Sequence, residues 1–302
     1  MPEGMDHAVA AALAHARPED PGCGTLARHA EDVVRQGRDG SAAWQGHRLA
    51  THFQPIFSVR RGACSGYEAL LRAEDGRNGA AIPPTRIFEQ ASGAERVRLD
   101  WVCRALHLRN FATVDRGDRT LFLNVFPEAA LHDAHCVSEF ADLVRYYGMA
   151  PRRICVEILE TDCADEGLLR EAVAAYRDMG VTIAMDDFGI GRSNFDRITS
   201  IRPDIVKIDR SVLVDAVGDA KARENLPNVV KLLHDAGARV AAEGIESAAE
   251  ALVALSSGAD YLQGFYFARP RPNLVDEAFS ERILHELLRM REATAARTRA
   301  VG

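Results

Sequence analysis

The chain has 302 residues, of which 47% are hydrophobic and 27% charged, with a formal net charge of −7. That is enough for one large α/β domain plus a small extension. The acidic balance argues against a long nucleic acid as partner, because its phosphates call for clustered Lys and Arg; a small phosphate ligand held through metals is not excluded.

The six cysteines, Cys23, Cys64, Cys103, Cys136, Cys155 and Cys163, contain no CxxC pair. A zinc knuckle or dithiol redox motif is therefore not expected, and the thiols read as reduced, mostly buried groups of a cytoplasmic protein. The apolar run at 8–14 is too short for a membrane span, which needs about 20 such residues. Glu3 and Asp6 precede it without Lys or Arg, so a secretory signal is not expected either.

Residues 1–47 are Ala-rich and broken by Pro18, Pro21, Gly22 and Gly24. They read as a helical extension, with helices near 6–16 and 25–37. Cys23, His15 and His29 there read as packed side chains rather than metal ligands. From His52, HFQPIFSV (52–59) and CSGYEALL (64–71) are strand-like and only four residues separate them. That gap holds no crossover helix, so the pair forms an antiparallel hairpin. A helical region at 84–115 follows. Strands and helices then alternate: strand 120–125, helix 136–147, strand 154–158, helix 165–179, strand 181–187, helix 193–200, strand 204–209, helix 222–236, strand 239–244, helix 247–257, strand 261–267. Residues 275–292 read as a closing helix and 293–302 as a frayed tail. The strands are apolar on both faces, as expected where helices cover one side and a core the other. The expected fold is α/β: a modified TIM-type (β/α)8 barrel over 48–292 with an antiparallel first strand, behind the short helical extension.

Each strand carries a polar residue at or near one end: Gln54, Glu68, Asn124, Glu157, Asp186 with Asp187, Lys207 with Asp209, Glu243 and Gln263. From Asn124 onward they recur at intervals of about 20–36 residues, one strand–helix unit each. Such a ring collects these ends at one mouth, with at least five carboxylates and one lysine. Two like charges 4 Å apart repel by about 4 kcal/mol at an effective dielectric of 20, and Lys207 alone does not offset five. The donors are carboxylates and the Asn124 amide, without His or Cys, which favours Mg²⁺ or Mn²⁺ over Zn²⁺. A shared carboxylate such as Asp186 suits two cations about 3.5–4 Å apart. Asp186 and Asp187 are adjacent, so both reach one site only if the strand bends there, and Gly189 and Gly191 permit a bend. The bland reading makes one of the pair a helix cap. For Lys207 the bland reading is an ion pair with Asp209 alone.

These residues resemble the EAL-domain cyclic di-GMP phosphodiesterases. Glu68-Ala-Leu-Leu-Arg72 is similar to the signature that names the family. Gln54-Pro-Ile, Asn124, Glu157-Ile-Leu-Glu160, Asp186-Asp187-Phe-Gly, Lys207-Ile-Asp209, Ala-Glu243-Gly-Ile-Glu246 and Gln263-Gly-Phe follow in the family's order, over about 48–272. The resemblance implies hydrolysis of cyclic di-GMP to linear pGpG with two divalent cations, and a barrel with one reversed strand. It implies Glu68, Asn124, Glu157, Asp186 and Asp187 as metal ligands, and Lys207, Glu243 and Glu160 in catalysis, the last bracing the loop after Asp187. Gln54, Arg72, Asp209, Glu246 and Gln263 would meet the substrate. A homodimer is implied too, and residues 1–47 are the candidate contact for a regulatory protein.

The chain departs from the family pattern at Phe126, at Leu159 and in Phe188-Gly-Ile-Gly-Arg-Ser-Asn-Phe195; none of these removes a metal ligand. The altered loop keeps open a second function, a receptor that binds cyclic di-GMP without cutting it and signals through a partner. A third reading, proton abstraction beside a carboxylate substrate, needs one metal where the tandem aspartates favour two.

Overall fold

The computed structural model describes residues 25–115, 117–126, 136–159, 166–189, 195–274 and 277–301. The expected helix at 6–16, Cys23, Glu160, Cys163 and most of the loop after Gly189 lie outside them.

Among the described residues there are ten strands: β1 Ser41–Trp44, β2 His47–Ser58, β3 Ala63–Asp75, β4 Ala81–Ile82, β5 Thr120–Val125, β6 Ile154–Leu159, β7 Thr182–Phe188, β8 Ile205–Ile208, β9 Arg239–Ala242 and β10 Tyr261–Leu262. Eight of them close a ring in the order β2, β10, β9, β8, β7, β6, β5, β3 and back to β2. β2 runs antiparallel to both of its ring neighbours, and every other ring contact is parallel. The four-residue link from Val59 to Gly62 forces the hairpin, so the reversed strand follows from connection length. β1 and β4 hang on the outer ends of β2 and β3.

The helices are α1 Thr25–Gln36, α2 Pro84–Gln90, α3 Gly93–Val114, α4 Cys136–Tyr146, α5 Glu166–Asp178, α6 Phe195–Ile201, α7 Arg210–Gly218, α8 Ala220–Asp235, α9 Ala248–Ser257 and α10 Glu277–Val301. The helical region expected at 84–115 is split, because Ser92 caps α3 through a reciprocal bond with Glu95. The closing helix continues through Val301, where the sequence suggested fraying from 293. Among the described residues no helix is long and apolar enough to cross a membrane.

The segment 25–47 is built into the fold rather than appended to it. Glu31 of α1 accepts a buried hydrogen bond from the Tyr147 hydroxyl just after α4, and Arg109 of α3 donates to the Val34 carbonyl, 2.7 Å. β1 turns into β2 through Gln45 and Gly46, whose φ values of 45° and 84° match the two-residue hairpin turn that fits strand twist.

Two apolar zones result. The larger lies between the barrel and its helices. The smaller fills the barrel and consists of Ile56, Phe122, Cys155, Ala184, Ile205 and Ala241. Gly66 makes room there: a Cβ on it would press on the Phe122 ring and the Thr120 carbonyl. Side chains alternate along a strand, so the residue two steps from each of these also points inward. Those residues are Gln54, Asn124, Glu157, Asp186, Lys207 and Glu243. The apolar plug is the floor on which the polar layer rests.

Candidate active site

Period-two placement brings the strand-end residues together. Lys207 Nζ lies 2.5 Å from Glu157 Oε1, 2.8 Å from Glu243 Oε1, 3.2 Å from Asp186 Oδ1 and 3.8 Å from Glu68 Oε2. The ion pair with Asp209 alone is therefore not what forms. Asp209 instead caps α7, its Oδ1 accepting from the Ser211 N–H at 2.8 Å. It is not among the residues lining the pocket at Glu68, but its charge still acts on Asp187 of the bulge.

Glu68 is held from two sides. Asn124 donates to Oε1 at 3.0 Å and Gln263 to Oε2 at 2.7 Å. Gln263 also donates to Gln54 Oε1, 3.3 Å, and Gln54 donates to the Ala268 carbonyl. Gln263 is buried, so it orients Glu68 from below the mouth. Glu246 pairs with Arg210, 2.9 Å, at the rim. Arg72 sits on the Glu68 face of β3 but turns its guanidinium to the Leu71 carbonyl, 2.8 Å. It lines a separate cleft with His52.

The bend expected at the tandem aspartates is present. The β7–β8 pairing skips between Met185 and Phe188, so Asp186 and Asp187 form a bulge. Asp187 has φ 60° and Gly189 φ 105°. Asp is among the few residues that tolerate the left-handed region, and strain of this kind gathers at functional sites. The Asp187 N–H donates to Asp186 Oδ1, 2.9 Å. Phe126, which follows β5, stacks on Phe88 with centroids 4.4 Å apart, while its N–H donates to Asp100.

The electrostatics are those of crowded acids. Burial pushes the Glu157 and Glu243 carboxyls well above the ordinary carboxylate range, with Lys207 opposing and neighbouring acids adding. Burial and then Asp186 push Asp187 up to about 6. Burial alone would lower Lys207, but Asp186, Glu157, Glu243 and Glu68 together hold it protonated well above its usual value.

Glu157 is fully buried, and among the described residues its carboxylate is met by the Lys207 ammonium alone, at one oxygen. Glu68, Glu157 and Glu243 each offer an oxygen within 4.8 Å of the others. A buried carboxylate this poorly satisfied, in an all-oxygen donor set, fits a hard divalent cation. Glu243 thus stands beside Glu68 and Glu157 in the acidic cluster. Beside these lies a pocket of about 120 Å³ lined by Gln54, Glu68, Glu243, Glu246, Gln263 and Phe265. Phe265 closes the Gln263-Gly-Phe motif but carried no role of its own in the sequence, because it sits inside the apolar run 261–267. Its exposed ring, with Arg269 4.3 Å over the centroid, is the signal that structure supplies.

The EAL domain family model matches residues 38–270. The match takes in 38–47, which the sequence reading gave to the extension. A curated cyclic di-GMP phosphodiesterase of Pseudomonas aeruginosa is 29% identical, over 72% of this chain and 38% of its own. A standalone EAL protein from Vibrio cholerae, solved with c-di-GMP bound, is 27% identical with a TM-score of 0.68, over 76% of this chain and 95% of its own. BlrP1 of Klebsiella pneumoniae, solved as a manganese/cy-diGMP complex, is 27% identical with a TM-score of 0.67, over 74% and 56%. The chain spans about a third of the length of several curated relatives that it matches. With the motif order, the reversed strand and the acidic mouth in place, the chain belongs to the EAL domain family.

Proposed function

We propose that this chain hydrolyses one phosphodiester of cyclic di-GMP to linear pGpG in the cytoplasm, as part of bacterial second-messenger signalling. The observation that carries the reading is the single buried lysine set among four carboxylates at the strand ends of the barrel, with a fifth on the adjacent bulge.

Two divalent cations, Mg²⁺ or Mn²⁺, would be held by Glu68, Asn124, Glu157 and Asp186 on one side and by Asp186 and Asp187 on the other. When bound, such cations supply Lewis acidity at the phosphate and lower the pKa of the attacking water. The chain's own groups do the rest. Lys207 Nζ donates to the water or a phosphate oxygen. Glu243 accepts the proton released as the new O–P bond forms and the P–O3′ bond breaks. Gln263 and Asn124 fix the Glu68 carboxylate. Gln54, Glu246 and Phe265 line the pocket that would take a guanine, and Arg72, in the separate cleft with His52, would have to turn from the Leu71 carbonyl to meet a phosphate. Asp209 acts through the start of α7 by capping. Glu160 keeps the bracing role that the resemblance implies. A homodimer, and a regulatory protein reaching the segment 1–47, belong to the same reading.

Incubation with cyclic di-GMP and Mn²⁺ followed by chromatography tests it. The expected product is pGpG, absent for Glu68→Ala. Micromolar binding without product would establish the receptor function instead.

A further inference from the structure

The barrel has a second charged end. Opposite the mouth, the starts of β5, β7, β8, β9 and β10 and the end of β2 border a cavity of about 590 Å³. Small-molecule sites fall in a range of about 300–1,000 Å³. This cavity is larger than the pocket beside Glu68 and shares no residue with it.

Its lining is cationic in a chain whose net charge is −7. Five guanidiniums, Arg60, Arg61, Arg152, Arg153 and Arg239, face two carboxylates, Asp118 and Asp260. Arg153 is already committed to Asp115, 2.6 Å, and lies over the Phe111 ring. Arg239 donates to the Tyr261 hydroxyl and lies 5.4 Å over its ring. Asp260 accepts from the Val240 N–H and from His234, so it is spent inside the fold. The guanidiniums of Arg60, Arg61 and Arg152 have neither an ion pair nor a hydrogen bond among the described residues; the Arg61 contact to Ser58 is made by its backbone N–H. Scattered surface arginines are ordinarily just solvated. Here three of them converge on one concavity whose nearby acids are outnumbered. The floor of that concavity is apolar, formed by Phe122 and Ile205 of the barrel plug.

We propose that this closed end binds a phosphorylated small molecule of nucleotide size. Its phosphates lie on Arg60, Arg61 and Arg152, whose planar forks match phosphate oxygens two at a time. Its organic part lies against Tyr261 and the floor. The site is separate from the mouth yet close to it, since Ile205 in the floor is two residues from Lys207 on β8.

Calorimetric titration of the full chain in EDTA, at physiological salt, tests this with pyrophosphate, GTP and ATP as probes. Without metals the mouth is a net anion and does not attract them. Expected is one GTP or ATP per chain, with pyrophosphate weaker. The triple variant R60A/R61A/R152A loses roughly tenfold or more in affinity with an unchanged melting temperature. The triple Lys variant recovers only part of that loss, and Arg28→Ala on α1 loses nothing. Three results would overturn the proposal: no heat with any probe at millimolar concentration, binding by pyrophosphate but by neither nucleotide, or equal binding by the triple Ala variant.

Discussion

Two sites in this molecule bury charge to the same depth and solve the problem differently. In the helical layer, Arg104 of α3 is 1% exposed and pairs with Asp100, 2% exposed, one turn earlier. Its guanidinium also donates to the Tyr176 hydroxyl at 3.1 Å and lies over the rings of Trp101 and Phe140. One positive charge meets one negative charge. In the barrel, Lys207 is equally buried but meets four carboxylates. The first arrangement is complete within the chain. The second leaves an excess of acid that protons or further cations must balance, so an imbalance of buried charge sets a candidate binding centre apart from a structural ion pair.

If that contrast is correct, removing a charge has opposite consequences at the two sites. Glu157→Gln in the barrel should lower hydrolysis of cyclic di-GMP by about 10⁴-fold, or roughly 5 kcal/mol of barrier. It should also raise the melting temperature of the metal-free protein, because one of the crowded acids is gone. Paired steady-state kinetics and thermal melts in EDTA check both. A variant less stable than the wild type without metal would place Glu157 among the structural charges.

Arg104→Met should do the reverse. It leaves Asp100 buried without its cation, at about 3–5 kcal/mol of stability, measured by urea unfolding. The folded fraction should still bind Mn²⁺. Lys207→Ala comes next, with turnover reduced about a hundredfold and KM for cyclic di-GMP changed far less. Equal loss in both would make Lys207 a substrate-holding group instead.

Much of the barrel was legible because two patterns coincide. Every parallel strand from β5 to β9 is a short apolar run with one or two polar residues at or near its end, and the short 59–62 link fixed the reversed strand. The Asp186-Asp187 bend was legible from geometry, since neighbours on a straight strand diverge. What stayed hidden has specific causes. The turn after β1 uses Gln45-Gly46 where Asn-Gly would have been recognised. Helix α7 begins at Arg210, directly after Asp209, so the cap that Asp209 gives the Ser211 N–H was not read from the sequence. β10 stops at Leu262 because the next residues wrap against the chain after β9: the Ile245 N–H donates to the Gln263 carbonyl and the Tyr266 N–H to the Ile245 carbonyl. A Cβ on Gly264 would collide with the Ile245 backbone, a constraint between segments that sequence spacing does not carry.

The gentlest test of the contrast uses protons in place of mutated charges. Asp187 is half-buried and its carboxyl is pushed up to about 6 in the metal-free fold, against about 3.9 in an unfolded chain. Between those values the folded state holds a proton that the unfolded state has released, so stability falls as pH rises. Measured directly, the slope would be obscured by His107, which burial keeps neutral by lowering it to about 3. That group makes stability rise as pH rises from about 3 to 6.5. Taking the difference between wild type and Asp187→Asn cancels the histidine. In EDTA that difference should decline by about 1–2 kcal/mol from pH 4 to pH 7, after allowance for solvent screening, and stay level above. In saturating Mn²⁺, which competes with the proton for the same oxygens, the difference should instead favour the wild type at pH 7 and weaken toward pH 4. Identical pH profiles with and without metal would mean that Asp187 is no part of the cation centre.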